Sequence, residues 1–395
     1  MKKLTGVLMA SLFLLAACGS PGGGSTSGSK ESQGDSDTVK IGANLELSGG
    51  VSAYGNQEKE GIDLAVEEIN AAGGINGKKV EIVAKDNKSE TAEAAAVAAS
   101  LTNNDNVVAI IGPATSGATK ATIPNATKAK VPVITPSGTD DGITVTGEGD
   151  SKKVQEYIFR TCFQDSLQGV ILANYGTDTL KAEKAVIIGD VSSDYAKGLT
   201  KSFKDTFKGE IVSEESFNAD DKDFKAILTK IKGKDFDFIY LPGYYEQAGA
   251  IIKQAREMGI EQPILGADGF SDAKLIDIAG AENVNNIFYT AHFSENAPAS
   301  DKVTAFIDAF KEKYDKSPSS FNALAYDSVY MIKAALESAG EDADGEKLAK
   351  ELSSLKDFEG VTGTMSMDEN HNPSKDLVVI GLEKGKEVSA ETVKP

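Results

Sequence analysis

The stretch VVAIIGPATSGATKATIPNATKAKVPVITPSGT, residues 107–139, decides the fold. Two β-branched apolar runs, Val107 to Ile111 and Val131 to Ile134, each lead into a loop of glycine, proline and hydroxyl residues. The first loop is Gly112-Pro113-Ala114-Thr115-Ser116-Gly117 and the second is Thr135-Pro136-Ser137-Gly138-Thr139. Short continuous apolar runs bounded by turn residues read as buried strands. The pattern extends in both directions. Upstream lie a strand at Val39 to Leu45 and a helix with Ile62, Ala65, Val66 and Ile69 on one face, stopping at Gly73-Gly74. A strand at Lys79 to Lys85 and an alanine-rich helix from Thr91 to Leu101 follow. Downstream a second series starts near Tyr157, with strands at Ala185 to Ile188, Phe236 to Leu241 and Pro263 to Leu265. Its clearest helix carries Phe224, Ile227, Leu228 and Ile231 on one face. Ser300 to Leu355 reads as mostly helical, and strands at Val361 to Met367 and Leu377 to Leu382 close the chain. Alternating βα units predict an α/β protein whose parallel sheets are covered by helices on both faces. Two such series predict two doubly wound lobes.

Composition narrows the function. The chain has 395 residues, 40% hydrophobic and 26% charged, which fits a globular protein and not a disordered one. Asp and Glu number 60 against 41 Lys and Arg, a formal charge of -19 that would repel a polyanion and argues against nucleic acid as a partner. With two His and two Cys, a cluster-type zinc or iron-sulfur site is excluded, and no metal or cofactor is expected.

The first residues read as an address. Lys2 and Lys3 precede the apolar run Leu4 to Ala17, too short to span a bilayer and ending in Leu15-Ala16-Ala17-Cys18. This tetrad resembles the lipobox of bacterial lipoproteins, which implies a signal peptide over 1–17 and lipidation of Cys18. An ordinary secretory signal with a chance cysteine is the alternative, and the coincidence of basic flank, apolar run, small residues and Cys favours the lipobox. Residues 18–37 then form a Gly/Ser/Pro/Lys tether. Cys162, left without an intrachain partner, reads as a buried small apolar residue.

In open parallel sheets, ligands bind in the crevice beyond the carboxyl ends of the strands. The first series offers hydroxyls and glycine-freed N–H groups there, suited to a carboxylate; Ser48-Gly49-Gly50 and Tyr54 follow its first strand. The second offers Asp194-Tyr195, Gly243-Tyr244-Tyr245 and Asp268, aromatics and an acid. That division suits a small zwitterion, whose two charges both need partners when buried. The same residue types also make ordinary turns.

The segments VSAYGNQEKEG from Val51, INAAGGING from Ile69, IIGPATSG from Ile110, VPVITP from Val131 and FIYLPGY from Phe238 resemble the leucine/isoleucine/valine-binding proteins, substrate-binding components of ATP-driven branched-chain amino acid importers. The likeness runs from Thr38 to about Gly385. It implies the type I periplasmic-binding-protein fold, two lobes joined by a three-strand hinge: 38–159 plus 292–370, and 160–291 plus 371–395. By the same likeness, Ser116 and Thr139 would bind the α-carboxylate through hydroxyl and backbone N–H. Ser137 would lend its carbonyl to the ammonium, with Asp268 as counter-charge, and Tyr54, Tyr195, Tyr244 and Phe321 would line the side-chain pocket. Tyr245 reads as core, and a helix cap is the other reading of Asp268. Two departures from the family touch preference. Asp268 stands where the compared relative has Glu, and Ala114, Ser137 and Gly138 make the wall smaller or more polar.

The implied mechanism is closure of two lobes about crossings near Phe159 to Thr161, Tyr289 to His292, and Met367 to Leu377. The partners implied are a branched-chain amino acid, a membrane permease with cytoplasmic ATPases, and a membrane reached through the lipid anchor on its extracytoplasmic face; a monomer is expected. A ligand-sensing receptor subunit of the same fold is the alternative, and a hydrolase on this scaffold ranks last. The nearest phosphate-loop match at Gly77-Lys78 has Ala72 in place of the first glycine, and Gly269-Phe270-Ser271-Asp272-Ala273 lacks the final glycine of a nucleophile elbow. His292 and His371 read as surface or hinge-strand residues, and Asp368 to Asn372 as a plain turn because Pro373 stands where a calcium loop needs glycine.

Overall fold

The computed structural model describes residues 38–147, 149–341 and 343–394. The expected signal peptide, Cys18 and the tether lie outside the described residues. The chain begins with β1 (Thr38–Leu45), α1 (Ser52–Ala71), β2 (Lys79–Asp86), α2 (Thr91–Asn103), β3 (Ala109–Ile111), α3 (Ser116–Ala129) and β4 (Val133–Thr135). A small hairpin, β5 (Val145–Thr146) with β6 (Lys153–Val154), precedes β7 (Ile158–Arg160). These strands form a parallel sheet in the order β2-β1-β3-β4-β7.

The second section runs α4 (Asp165–Asn174), β8 (Lys184–Asp190), α5 (Asp194–Thr206), β9 (Glu210–Phe217), α6 (Lys225–Lys232), β10 (Phe238–Tyr240), α7 (Tyr245–Glu257), β11 (Ile264–Gly266), α8 (Ala273–Ala279) and β12 (Asn285–Ala291). Helices α9 (Asp301–Tyr314), α10 (Ser320–Ala339) and α11 (Gly345–Ser353) follow. Then come β13 (Phe358–Gly360), β14 (Gly363–Met367), β15 (Pro373–Ser374), β16 (Leu377–Glu383) and β17 (Lys386–Val393). The second large sheet has the order β17-β16-β12-β11-β10-β8-β9. It is parallel from β12 to β9, while β16 and β17 run antiparallel at the other edge. The last two strands therefore make it a mixed sheet.

Strand periodicity sends alternate side chains to opposite faces, and each sheet is buried on both. In the first, Ile41, Ala43, Ile111 and Ile134 join the core under α1 and α10, whereas Ile110, Val133 and Ile158 join the one with Val97 and Leu101 of α2. In the second, Val186, Ile239 and Ile264 face one core, and Ala185, Phe238 and Leu265 the other. At the end of β3, Gly112 adopts a φ of 88°, where an added Cβ would stand 2.3 Å from the Asn44 carbonyl oxygen. Only glycine fits this turn, and the turn swings the following loop across the strand ends.

The chain passes between the sheets three times. After β7 it enters α4; after β12 it returns, and Phe293 packs into the first core; after Met367 it leaves again for β16. Buried polar groups hold these crossings. The Arg160 guanidinium donates to the carbonyls of Gly138 (3.1 Å) and Asp140 (2.9 Å), and the Lys375 ammonium donates to the Thr161 carbonyl (3.2 Å). His371 Nδ1 lies 3.1 Å from the Ile158 carbonyl and His292 is also buried, so neither is a surface residue. Asp368 accepts from the backbone N–H groups of Asn370 and Asn372, a local turn of the kind expected. Cys162 is buried with its thiol pushed up to about 12 by burial, an inert position. No helix among the described residues is long and apolar enough to cross a membrane.

Candidate ligand-binding cleft

A narrow cleft lies where the two lobes face each other, at the carboxyl ends of the strands. Tyr54 reaches it from the first turn of α1, Ala114 to Ser116 from the β3 loop and the start of α3, Ser137 from the loop after β4, and Phe321 from the first turn of α10. The opposite wall comes from Tyr195 at the start of α5, Tyr244 just before α7, and Asp268 with Gly269 after β11.

The first wall presents donors. Thr115, the residue before α3, makes no side-chain cap, and Ser116, the first residue of that helix, lines the cleft. The Ser116 hydroxyl accepts from Asp140 N–H at 3.1 Å. Thr139 is placed differently from Ser116 and Ser137: it is buried but does not line the cavity. Its carbonyl accepts from Asp165 N–H, and its hydroxyl faces the Asp165 carboxyl group. The cause lies in the loop itself. Gly138 N–H donates back to the Thr135 hydroxyl, Arg160 draws in the Gly138 and Asp140 carbonyls, and Thr139 is turned toward α4.

The second wall presents one fixed acid. Asp268 Oδ1 accepts from Tyr195 Oη (2.7 Å) and Gln168 Nε2 (3.0 Å), and Oδ2 lies 3.2 Å from His292 Nε2. Its own N–H donates to Gln168 Oε1. Asp268 does not cap the following helix; Asp272 does, accepting from Lys274 N–H. Burial lowers His292 to about 4, which leaves a neutral ring whose Nε2–H donates to Asp268. Nearby Asp165 is held well above the carboxylate range, first by burial and then by the Asp268 charge.

Aromatic rings join the walls. Tyr54 stacks on Phe321 at 4.4 Å, while Tyr195 stacks on Tyr244 at 5.0 Å and 5°. Across the cleft, Tyr54 Oη donates to the Gly269 carbonyl at 2.7 Å and accepts from Tyr245 N–H at 3.3 Å. Tyr245 Oη donates to the Gly50 carbonyl at 3.0 Å. Tyr245 is therefore more than core: it latches one lobe to the other. Gln57 with Asp272 and Lys120 with Asp194 add polar contacts between the same faces.

A model of the periplasmic binding protein family matches residues 38–387. The chain belongs to that family. Among relatives of this periplasmic binding protein, the Leu/Ile/Val-binding protein homolog 3 of Brucella melitensis is 31% identical over 87% of this chain and 94% of its own. The leucine-, isoleucine-, valine-, threonine-, and alanine-binding protein of Pseudomonas aeruginosa is 32% identical over 84% of this chain and 86% of its own. The crystal structure of the branched-chain amino acid transporter substrate binding protein LivJ from Streptococcus pneumoniae, in complex with isoleucine, is 51% identical with a TM-score of 0.86, covering 91% of this chain and all of that one. The leucine binding protein LivK of Thermotoga maritima is 34% identical with a TM-score of 0.84, over 90% of this chain and 99% of its own. The fold of this binding protein is thus the type I periplasmic one, two lobes of sheet and flanking helices.

Gln168 and the pair Glu46 and Glu58 carry no sequence signal of their own. Gln168 sits in the first turn of α4, and Glu46 directly follows β1. Each is tied to the site only through a partner distant in sequence, as Gln168 is to Asp268 a hundred positions on.

Proposed function

We propose that this protein captures a branched-chain, or similar apolar, L-amino acid between its lobes and delivers it to a membrane permease driven by separate ATPases. The observation that carries the reading is one cleft between the lobes that brings together Ser116 at the start of α3, Asp268 from the facing wall and the rings of Tyr54, Tyr195, Tyr244 and Phe321. The α-carboxylate would sit at Ser116, and the ammonium between Asp268 and the Ser137 carbonyl. The aliphatic tail would lie against Tyr54, Tyr195, Tyr244 and Phe321. Thr139 would act from behind this wall by setting the loop. Bound to both walls, the ligand favours the closed form, with 38–159 plus 292–370 closing on 160–291 plus 371–395. The complex of the Streptococcus relative with isoleucine supports this ligand class.

The protein would bind and release its ligand unchanged, as a carrier and not an enzyme. A lipid on Cys18 would hold it, as a monomer, on the extracytoplasmic face of the membrane, the tether allowing it to reach its permease. Titration calorimetry with isoleucine, leucine and valine tests the ligand class; no heat and no thermal shift with any of them overturns it. Metabolic labelling with a fatty acid, lost in Cys18→Ser, tests the anchor.

A further inference from the structure

Behind the ligand cavity, in the lobe of the first sheet, two glutamates are completely buried: Glu46, just after β1, and Glu58, on α1 one turn beyond Tyr54. Their surroundings differ. Glu46 accepts from Ala114 N–H (3.0 Å), Thr115 N–H (3.1 Å) and the Thr115 hydroxyl (2.8 Å), at the N-terminal end of α3 where a negative charge is favoured. Glu58 meets a single polar side chain, Ser137, whose Oγ lies 2.6 Å from Glu58 Oε1; Glu58 Oε2 is buried without a hydrogen-bond partner. Ser137 Oγ is also 2.9 Å from the Ala114 carbonyl. The serine hydroxyl has one proton and cannot donate to both acceptors. The arrangement is satisfied when Glu58 carries the other proton: Glu58 O–H donates to Ser137 Oγ, and Ser137 O–H donates to Ala114 O.

We propose that Glu58 is a neutral, proton-carrying positioning residue of the ligand site, tying α1 to the loops that carry Ala114 and Ser137. The proposal rests on the reading of this cleft as an amino-acid site and deepens it. Three pieces of one cavity wall, Tyr54, Ala114 and Ser137, are registered through this one side chain. Charge partition supports the assignment. Burial raises both acids; donors from Ala114 and Thr115 offset it only in part at Glu46, and Glu58 is raised much further, by burial first and by the Glu46 charge second. With three donors, Glu46 is the better seat for a negative charge, and Ser137 is the only side-chain donor among the described residues that faces Glu58. Loss of the Glu58 proton would set two uncompensated carboxylates together, turn the Ser137 hydroxyl to Glu58 and release the Ala114 carbonyl.

The test compares the wild-type protein with Glu58→Gln and Glu58→Ala. Infrared difference spectra at neutral pH should contain the carbonyl stretch of a protonated carboxyl group that Glu58→Gln lacks; no such difference overturns the proposal, whether or not any ligand binds. Isoleucine is the calorimetric probe. Glu58→Gln, whose amide can still donate to Ser137 Oγ, should keep affinity within about threefold, and Glu58→Ala should lose about tenfold, the loss of one buried hydrogen-bonded link. Between neutral and moderately alkaline pH, wild-type affinity should fall more steeply than that of Glu58→Gln; superimposable profiles overturn the assignment. Failure of isoleucine to bind wild type would instead count against the ligand class and leave the infrared result to decide the proton.

Discussion

Asp268 accepts from Tyr195 and Gln168 and is met by His292, so its orientation is fixed by the protein's own groups. Substituting Asn keeps the shape but removes the charge, and its amide hydrogens would oppose donors already in place. Asp268→Asn should weaken isoleucine binding by about 2 to 5 kcal/mol, the cost of an unpaired buried charge, as read by calorimetry. Wild-type affinity would remove Asp268 from the ammonium position. His292 gives a second expectation, with a sign that follows from its position. Burial lowers it from the ordinary 6.5 to about 4, so the folded chain binds this proton less readily than the unfolded one. The stability it contributes is present above pH 6.5 and is lost as pH falls toward 4, at about 1.4 kcal/mol per unit of that window. The melting temperature of His292→Gln should therefore decline less over that window than wild type; parallel declines would show that His292 takes no proton there.

Among the elements, the contact of α1 with α10 sets the Tyr54–Phe321 pair. An added Cβ at Gly61 would stand 2.1 Å from the Asn322 carbonyl oxygen, a backbone atom that cannot swing aside. Gly61→Ala should force the helices apart, costing about 1 to 3 kcal/mol and several degrees of melting temperature, and weaken ligand binding by splaying the stacked rings. Gly233, with open space around it and a φ of -93°, is the matched control; equal effects of alanine at both positions would refute the packing argument. What could be read of these elements before the structure follows from burial. β1, β3, β4, β8 and β10 sit inside their sheets and announce themselves as apolar runs. β9 (EIVSEESF) and β17 (KEVSAETV) are edge strands with polar sequences, and nothing in their composition separates them from loops. β7 looked like the start of the second series because an apolar run records burial but not which sheet it joins; its pairing with β4 places it in the first. The site was legible to the same depth. Its hydroxyls and aromatics follow strand ends in the sequence, whereas the supports of Asp268, namely Gln168 from α4 and His292 from the chain crossing, are assembled only by folding. Thr139 shows the converse, since a residue two positions from Ser137 is turned away by hydrogen bonds made to Arg160.

Over the whole molecule, closure must work against charge. With a formal charge of -19, carboxylates recur on both faces of the cleft, and Lys120 is the cation placed between two of them. From α3 its ammonium reaches Asp140 at 2.8 Å in its own lobe and Asp194 at 3.3 Å in the other. Burial opposes its charge, yet Asp140 and Asp194 together hold the ammonium above the ordinary lysine value. Asp194 is about half exposed, so water and salt screen its attraction and the pair itself is a weak clasp. Lys197 also reaches Asp194, at 3.5 Å, but Lys120 is the cation that Asp140 and Asp194 share. Lys120→Met keeps the aliphatic stem and removes the cation that Asp140 and Asp194 share when the lobes meet, so the closed form is disfavoured while each lobe is intact. Isoleucine affinity should fall about threefold to tenfold at low salt, mainly through faster release, and the deficit should shrink as salt rises, because the screening length drops from roughly 30 Å at 0.01 M to about 3 Å at 1 M. Stopped-flow release measured across that range distinguishes the causes: a deficit independent of salt would mean that Lys120 acts by packing, and no deficit at low salt would mean that closure draws nothing from this contact and depends on the tyrosine latches and the ligand alone.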